Sequence, residues 1–221
     1  MKLSNSTISL LKNFSAINQS ILIKPGSQLR SISMAKNILA EAEIDEVFPQ
    51  EFAIYELNQF LNGLSLHNDP ELDFVDDKHL LIKGGNSCSK YFFADPSVIV
   101  SPPDKSISLP TEDICFNVNT QDIDTLIKAS SVYQAPDLSV VGENGRVMMV
   151  VRDKKNDTCN NFSIDVGETT NNFVFNFKVE NLKLIKGNYE VVMSQKLLSR
   201  FENTSLNVKY YIAMEPDSTF E

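Results

Sequence analysis

Apolar residues recur along this chain with two periods, one helical and one of two residues. Ile8, Leu11, Phe14 and Ile17 follow candidate caps Ser4 and Ser6, with Ser9, Lys12, Asn13 and Ala16 opposite, and predict an amphipathic helix over 4–18. In 52–64, Ile54, Leu57, Leu61 and Leu64 form one stripe against Glu56, Asn58, Gln59 and Asn62, which predicts a second helix. A third starts at Thr120, read as its N-cap, with Ile123, Leu126, Ile127 and Ser130 on one side and Lys128 and Ser131 outside. The run Val179 to Ile185, bearing Lys183, predicts a short fourth.

Elsewhere the pattern is of short strands and tight turns. Strands are expected at 80–83, before Gly84-Gly85-Asn86, and on either side of Gly142-Glu143-Asn144-Gly145, at 138–141 and 146–151. Later strands fall at 173–178, 189–194, 197–201 and 206–214, the last alternating with Val208, Tyr210, Ile212 and Met214 on one face. Pro96, Pro102, Pro103 and Pro110 mark an extended connector over 95–110. On each side of it the order reads strand, helix, three strands, helix, three strands, although no identity between the halves is visible. The expectation is therefore an α+β protein of two similar domains, 1–94 and 111–221, joined by the connector 95–110.

Composition narrows the class. With 42% hydrophobic and 22% charged residues over 221 positions, the chain can bury a core and is neither disordered nor collagen-like. The opening residues do not read as a signal peptide, and no apolar run approaches the roughly 20 residues that span a bilayer. A cytoplasmic protein, with no membrane partner, is expected. Cys88, Cys115 and Cys159 are an odd number, far apart and without a C-x-x-C pair, so they are expected to be reduced and mostly buried. The sequons at Asn5, Asn13, Asn18, Asn156, Asn161 and Asn203 then carry no meaning.

A net charge of −9 is unlike an ordinary DNA-binding module, but its distribution is uneven. Residues 1–40 hold Lys2, Lys12, Lys24, Arg30 and Lys36 with no acid, whereas 41–80 carry eleven acids against Lys78. Such a chain can present one basic face and one acidic face, and screening beyond about 8 Å uncouples the acids from a polyanion at the other face.

Catalytic, metal and cofactor constellations are absent. His67 and His79 have no ligand spacing and read as solvated turn or strand residues. The Gly84-Gly85 and Gly142–Gly145 turns lack both phosphate-cradling forms. Asp69, Glu71, Asp73, Asp76 and Asp77 lack the glycine and closing glutamate of a calcium loop. Lys12, Lys128 and Lys183 each lie on the polar side of an expected helix, and their recurrence suggests a shared surface for phosphate contact without sequence preference.

Certain strings carry a resemblance. Met1-Lys2-Leu3-Ser4 with Leu10-Leu11-Lys12-Asn13-Phe14, then Ala53-Ile54-Tyr55-Glu56-Leu57-Asn58 with Phe60-Leu61, Leu64-Ser65-Leu66 and Asn68-Asp69, resemble the sliding clamps of T-even-like bacteriophages. So do Ala94-Asp95-Pro96-Ser97, Gly187-Asn188-Tyr189 and the closing Glu215-Pro216-Asp217-Ser218-Thr219; the matches thin out between about 130 and 175. The resemblance implies a head-to-tail homotrimer, six similar domains in a ring with helices lining the hole and sheets outside. It further implies a non-enzymatic processivity factor for a DNA polymerase, encircling duplex DNA in the cytoplasm of an infected bacterium. An ATP-driven clamp loader and late-transcription factors would be further partners.

By position, the resemblance turns Lys2, Lys12, Lys128 and Lys183 toward DNA. Asn5 and Ser131 stand where related proteins carry basic residues, which lowers the charge at that face. The apolar connector run Val98-Ile99-Val100, with Ile212 and Met214 of the last strand and Pro216 at the rim, is expected to form a crevice for a partner peptide, since similar clamps hold hydrophobic partner tails near this connector; the alternative is that the connector buries these residues against its own domain. The rival reading is a non-catalytic phage structural or assembly protein; a defined trimer in solution separates the two.

Overall fold

The computed structural model describes residues 1–221 and divides into two compact units, Met1–Lys105 and Ser106–Glu221. The first comprises α1 (Asn5–Ile17), β1 (Ile21–Ile23), β2 (Gly26–Ile32), β3 (Ile38–Phe48), β4 (Phe52–Ile54), α2 (Leu57–Ser65), β5 (Glu71–Phe74), β6 (His79–Gly84) and β7 (Ser87–Phe92). All pairing within it is antiparallel: β1 with β4, β2 with β3, and a three-stranded sheet ordered β5-β6-β7.

Helix α1 forms where predicted, although Ile8 of the expected stripe is only half-buried and Leu10 is buried in addition. The Ser4 hydroxyl accepts from the Thr7 amide at 3.2 Å as N-cap, and Leu10, Leu11, Phe14 and Ile17 are buried, facing α2 and β3. Each such side chain contributes roughly 2 kcal/mol when fully buried. The expected helix over 52–64 is corrected: Phe52, Ala53 and Ile54 are buried in succession and pair with Ile23, Leu22 and Ile21 as a strand. Three consecutive interior positions suit a strand covered on both faces better than one stripe of a helix. The helix begins only at Leu57, whose amide donates to Gln19 O at 2.7 Å. Phe48, Phe52, Phe74 and Phe93 then cluster with ring centroids 5.1 to 6.5 Å apart.

The second unit comprises β8 (Ile114–Val118), α3 (Thr120–Tyr133), β9 (Asp137–Glu143), β10 (Arg146–Arg152), β11 (Phe162–Glu168), β12 (Phe173–Lys178), β13 (Tyr189–Ser194), β14 (Leu198–Asn203), β15 (Val208–Ala213) and β16 (Thr219–Phe220). Strands β8-β13-β14-β15 run side by side, and a second sheet is ordered β11-β10-β9-β12-β16. The β9–β10 hairpin turns through Asn144 and Gly145, both with positive φ (51° and 81°), as a two-residue turn matched to strand twist requires. The cap of α3 is Asn119 rather than Thr120; its side-chain oxygen accepts from the Asp122 amide at 2.9 Å.

The expected fourth helix is also corrected. Val179–Asn181 makes one 3-10 turn, and the chain then runs irregularly through Lys183 to Ile185. Two interior tyrosines hold Ile185 by both backbone groups: Tyr210 Oη accepts from its amide at 3.2 Å, and Tyr189 Oη donates to its carbonyl. Those bonds take the place of the i→i−4 ladder. Burial pushes the Tyr189 phenol up to about 12 and the Tyr210 phenol higher still, so both remain hydroxyls able to serve there. The second unit consequently has one helix where two were expected.

Candidate nucleic-acid interface and partner surfaces

The basic residues singled out from the sequence lie in unlike settings. Lys12 is exposed on the outward face of α1, beside exposed Ser9 and Ala16, and Lys128 is exposed on α3, one turn before exposed Ser131. Lys2 precedes the helix and is ion-paired with Asp69, which raises its ammonium pKa through that hydrogen bond and charge. Lys183 is half-buried beyond the 3-10 turn. One further cation, Lys186, is exposed and faces Asp124 of α3 at 3.4 Å.

Glu46 of β3 fixes the start of α1. Its carboxylate accepts from the Ser4 amide and from the Thr7 hydroxyl, the latter at 2.6 Å. Burial pushes this carboxyl up, but the bonds from Thr7 and Ser4 outweigh it and hold the pKa below the usual glutamate value. An anion at a helix N-terminus also complements the helix dipole.

The six residues expected to form a partner crevice divide between the units. In the first, Val98 is 55% exposed, Val100 is half-buried and Ile99 is buried. In the second, Ile212 and Met214 are interior at 0% and 5% exposure, while Pro216 is exposed. Period-two alternation correctly put Val208, Tyr210, Ile212 and Met214 on one face; that face is the core, so Ile212 and Met214 cannot meet a partner directly.

Other residues weighed for chemistry are occupied structurally. His67 is buried, not solvated as expected: Nδ1 lies 2.6 Å from Ser87 Oγ and Nε2 2.9 Å from Ser89 Oγ. Ser87 Oγ also donates to Gly84 O, so the ring is fixed between two hydroxyls of β7. Asp73 pairs with Lys83 at 2.6 Å, and Asp76 accepts from the amides of Lys78 and His79. None of the three cysteines is buried, contrary to expectation: Cys88 and Cys115 sit on outward positions of the edge strands β7 and β8, and Cys159 is half-buried. Strand alternation, not thiol hydrophobicity, decided their side.

Two surface features were not read from the sequence. Strand β7 is an open edge, and beside it a groove of about 610 Å³ runs between β7 and α2, flanked by the exposed Tyr55 and Phe92. Strand β11 is an open edge of the second unit, packed beside α3, whose last turn exposes Val132 and Tyr133. These aromatic and β-branched residues lay off the helical stripes used to predict the core, and only the topology sets them beside unpaired strands.

Comparison with known proteins supplies the family. Residues 2–101 match the profile described as DNA polymerase processivity factor, and residues 115–216 the one described as gp45 sliding clamp, C terminal. The chain is 33% identical to the sliding clamp of Vibrio phage KVP40, covering 97% of this chain and 99% of that protein. It belongs to the bacteriophage sliding clamps. It is also 32% identical to the sliding clamp of Escherichia phage RB69, over the full length of both. The structure of A. fulgidus PCNA bound to the C-terminal region of FEN-1 superposes with a TM-score of 0.68 at 15% identity, covering 96% of each chain, which identifies the clamp fold. As a clamp, this chain is a processivity factor for a DNA polymerase, and its α1 and α3 carry the exposed Lys12 and Lys128. No helix is long and apolar enough to cross a membrane.

Proposed function

We propose that three copies of this chain close head to tail into a ring that encircles duplex DNA without reading its sequence and tethers the replicative polymerase. The reading is supported chiefly by two unlike sheet edges that have exposed apolar side chains beside them: β7 with Tyr55 and Phe92, and β11 with Val132 and Tyr133. An exposed edge beside apolar side chains invites pairing, and joining two different edges makes a heterologous contact that must close into a ring or grow into a filament. In the ring, Lys12 of α1 and Lys128 of α3 face the duplex, and phosphate contact by a few lysines gives weak, salt-sensitive attraction. Lys2 and Lys183 contribute less, one being paired and the other half-buried.

The role is non-catalytic. Loading by an ATP-driven clamp loader and service to late transcription in the infected cell belong to the same proposal, on the strength of family membership. Partners dock at the connector, where exposed Val98 and half-buried Val100 offer apolar surface. Multi-angle light scattering at micromolar concentration tests the assembly: a mass of three subunits is expected, and a stable monomer or an open polymer would overturn it.

A further inference from the structure

The connector is anchored to the first unit far more closely than its proline content suggests. The Asn18 side-chain amide, itself buried, donates to Ile32 O at 2.9 Å and to Val100 O at 3.3 Å. Lys24 is ion-paired with Asp104. Arg30 of β2 adds a further anchor, on the residues that flank Asp104. Its Nη1 donates to Pro103 O at 2.7 Å and its Nη2 to Lys105 O at 3.3 Å. The same guanidinium is held from the other side by Glu41, its cross-strand neighbour on β3, with Nε and Nη2 at 2.9 and 2.6 Å from Oε1. Both side chains of this pair are largely buried. From Ser106 to Pro110 the structure has no hydrogen bond to any backbone group, and the first compact unit ends at Lys105, the last residue Arg30 holds.

We infer that Arg30 is the positioning residue of the connector: oriented by Glu41, it clasps the carbonyls of Pro103 and Lys105 and so fixes the apolar run Val98–Val100 for docking. The chemistry requires arginine. A planar fork of N–H donors can serve one carboxylate and two carbonyls at once, whereas a lysine ammonium is a point donor that reaches one or two. Glu41 prevents the half-buried charge from standing alone and locks the rotamer, so the strap meets a preorganised donor set. The docking part of this inference rests on the function proposed above; the clasp does not.

Limited trypsin digestion of the full-length assembly reads the clasp, because the scissile bond after Lys105 carries the very carbonyl that Arg30 holds. Cleavage after Lys36, in the exposed β2–β3 turn, serves as internal reference. Arg30→Ala should raise the Lys105-to-Lys36 cleavage ratio roughly tenfold, about what loss of a hydrogen bond from a charged donor carries. Arg30→Lys, which keeps a cation opposite Glu41 and hence the fold, should raise it nearly as much, and Glu41→Gln by less. An unchanged ratio in both Arg30 variants would overturn the inference. In parallel, the same variants are assayed for stimulation of the phage's own DNA polymerase on primed circular template. A raised ratio with weakened stimulation supports the whole inference. A raised ratio with stimulation unchanged leaves the clasp standing and overturns the connector as docking segment.

Discussion

At the scale of single residues, charge acts here through its partners. Lys12 and Lys128 have no ion pair, so Lys12→Glu with Lys128→Glu should impair loading or sliding on DNA while leaving the melting temperature within a few degrees, since neither side chain is buried. Lys2 is opposed by Asp69 and Lys186 by Asp124, so Asp69→Asn and Asp124→Asn should each strengthen the salt-dependent attraction to short duplex, measured by anisotropy at low salt. Glu46 gives a pH signature. Its carboxyl is held below the usual value in the folded chain, so its contribution is present above the unfolded pKa and is lost as pH falls through the folded one. Glu46→Gln should cost about 1 kcal/mol at neutral pH and flatten the acid limb of the stability curve below about pH 4.5, followed by thermal melts across pH. These links were partly legible. The exposure of Lys12 and Lys128 followed from helical period, but Glu46, read only as one of eleven acids, needed the fold to bring it 39 positions back to Thr7.

Elements show where local pattern and tertiary context part company. Helix α1 was readable because it buries one face, and the strands β12, β13 and β15 because Val, Ile, Phe and Tyr crowd into short runs of strand length, even though three or four consecutive residues of each strand are buried. The segment 52–64 was misread because its first three residues are covered on both faces, and a fully buried strand imitates part of a helical stripe. The segment Val179–Ile185 was misread because its competitor for hydrogen bonding, the pair Tyr189 and Tyr210, enters from strands that follow it in sequence. Just after β15, Met214→Asp places a charge in the core and should destabilise the fold by at least about 3 kcal/mol in denaturant melts, before any partner is added. Val98→Asp, on an exposed position, should leave stability nearly unchanged and weaken binding of a labelled polymerase C-terminal peptide. In the proposed trimer, Phe92→Asp on β7 or Tyr133→Asp at the end of α3 beside β11 should reduce three copies to one at micromolar concentration with circular dichroism retained, because a charge set at or beside an exposed strand edge opposes pairing without touching the core.

For the whole molecule, the α+β class and the clamp family were within reach of the sequence, the first through alternating periodicities and the second through residue strings at both ends of the chain. The edges that would join subunits were not, since edge status is a property of sheet order and no residue type declares it. An acidic protein gains little from direct attraction to DNA, so in the proposed ring holding on to the duplex would depend on closure around it. The decisive measurement is retention on nicked circular DNA after loading, compared before and after a single restriction cut. The proposed ring should stay with the intact circle through a high-salt wash and be lost once the DNA is made linear; retention indifferent to the cut would contradict encirclement.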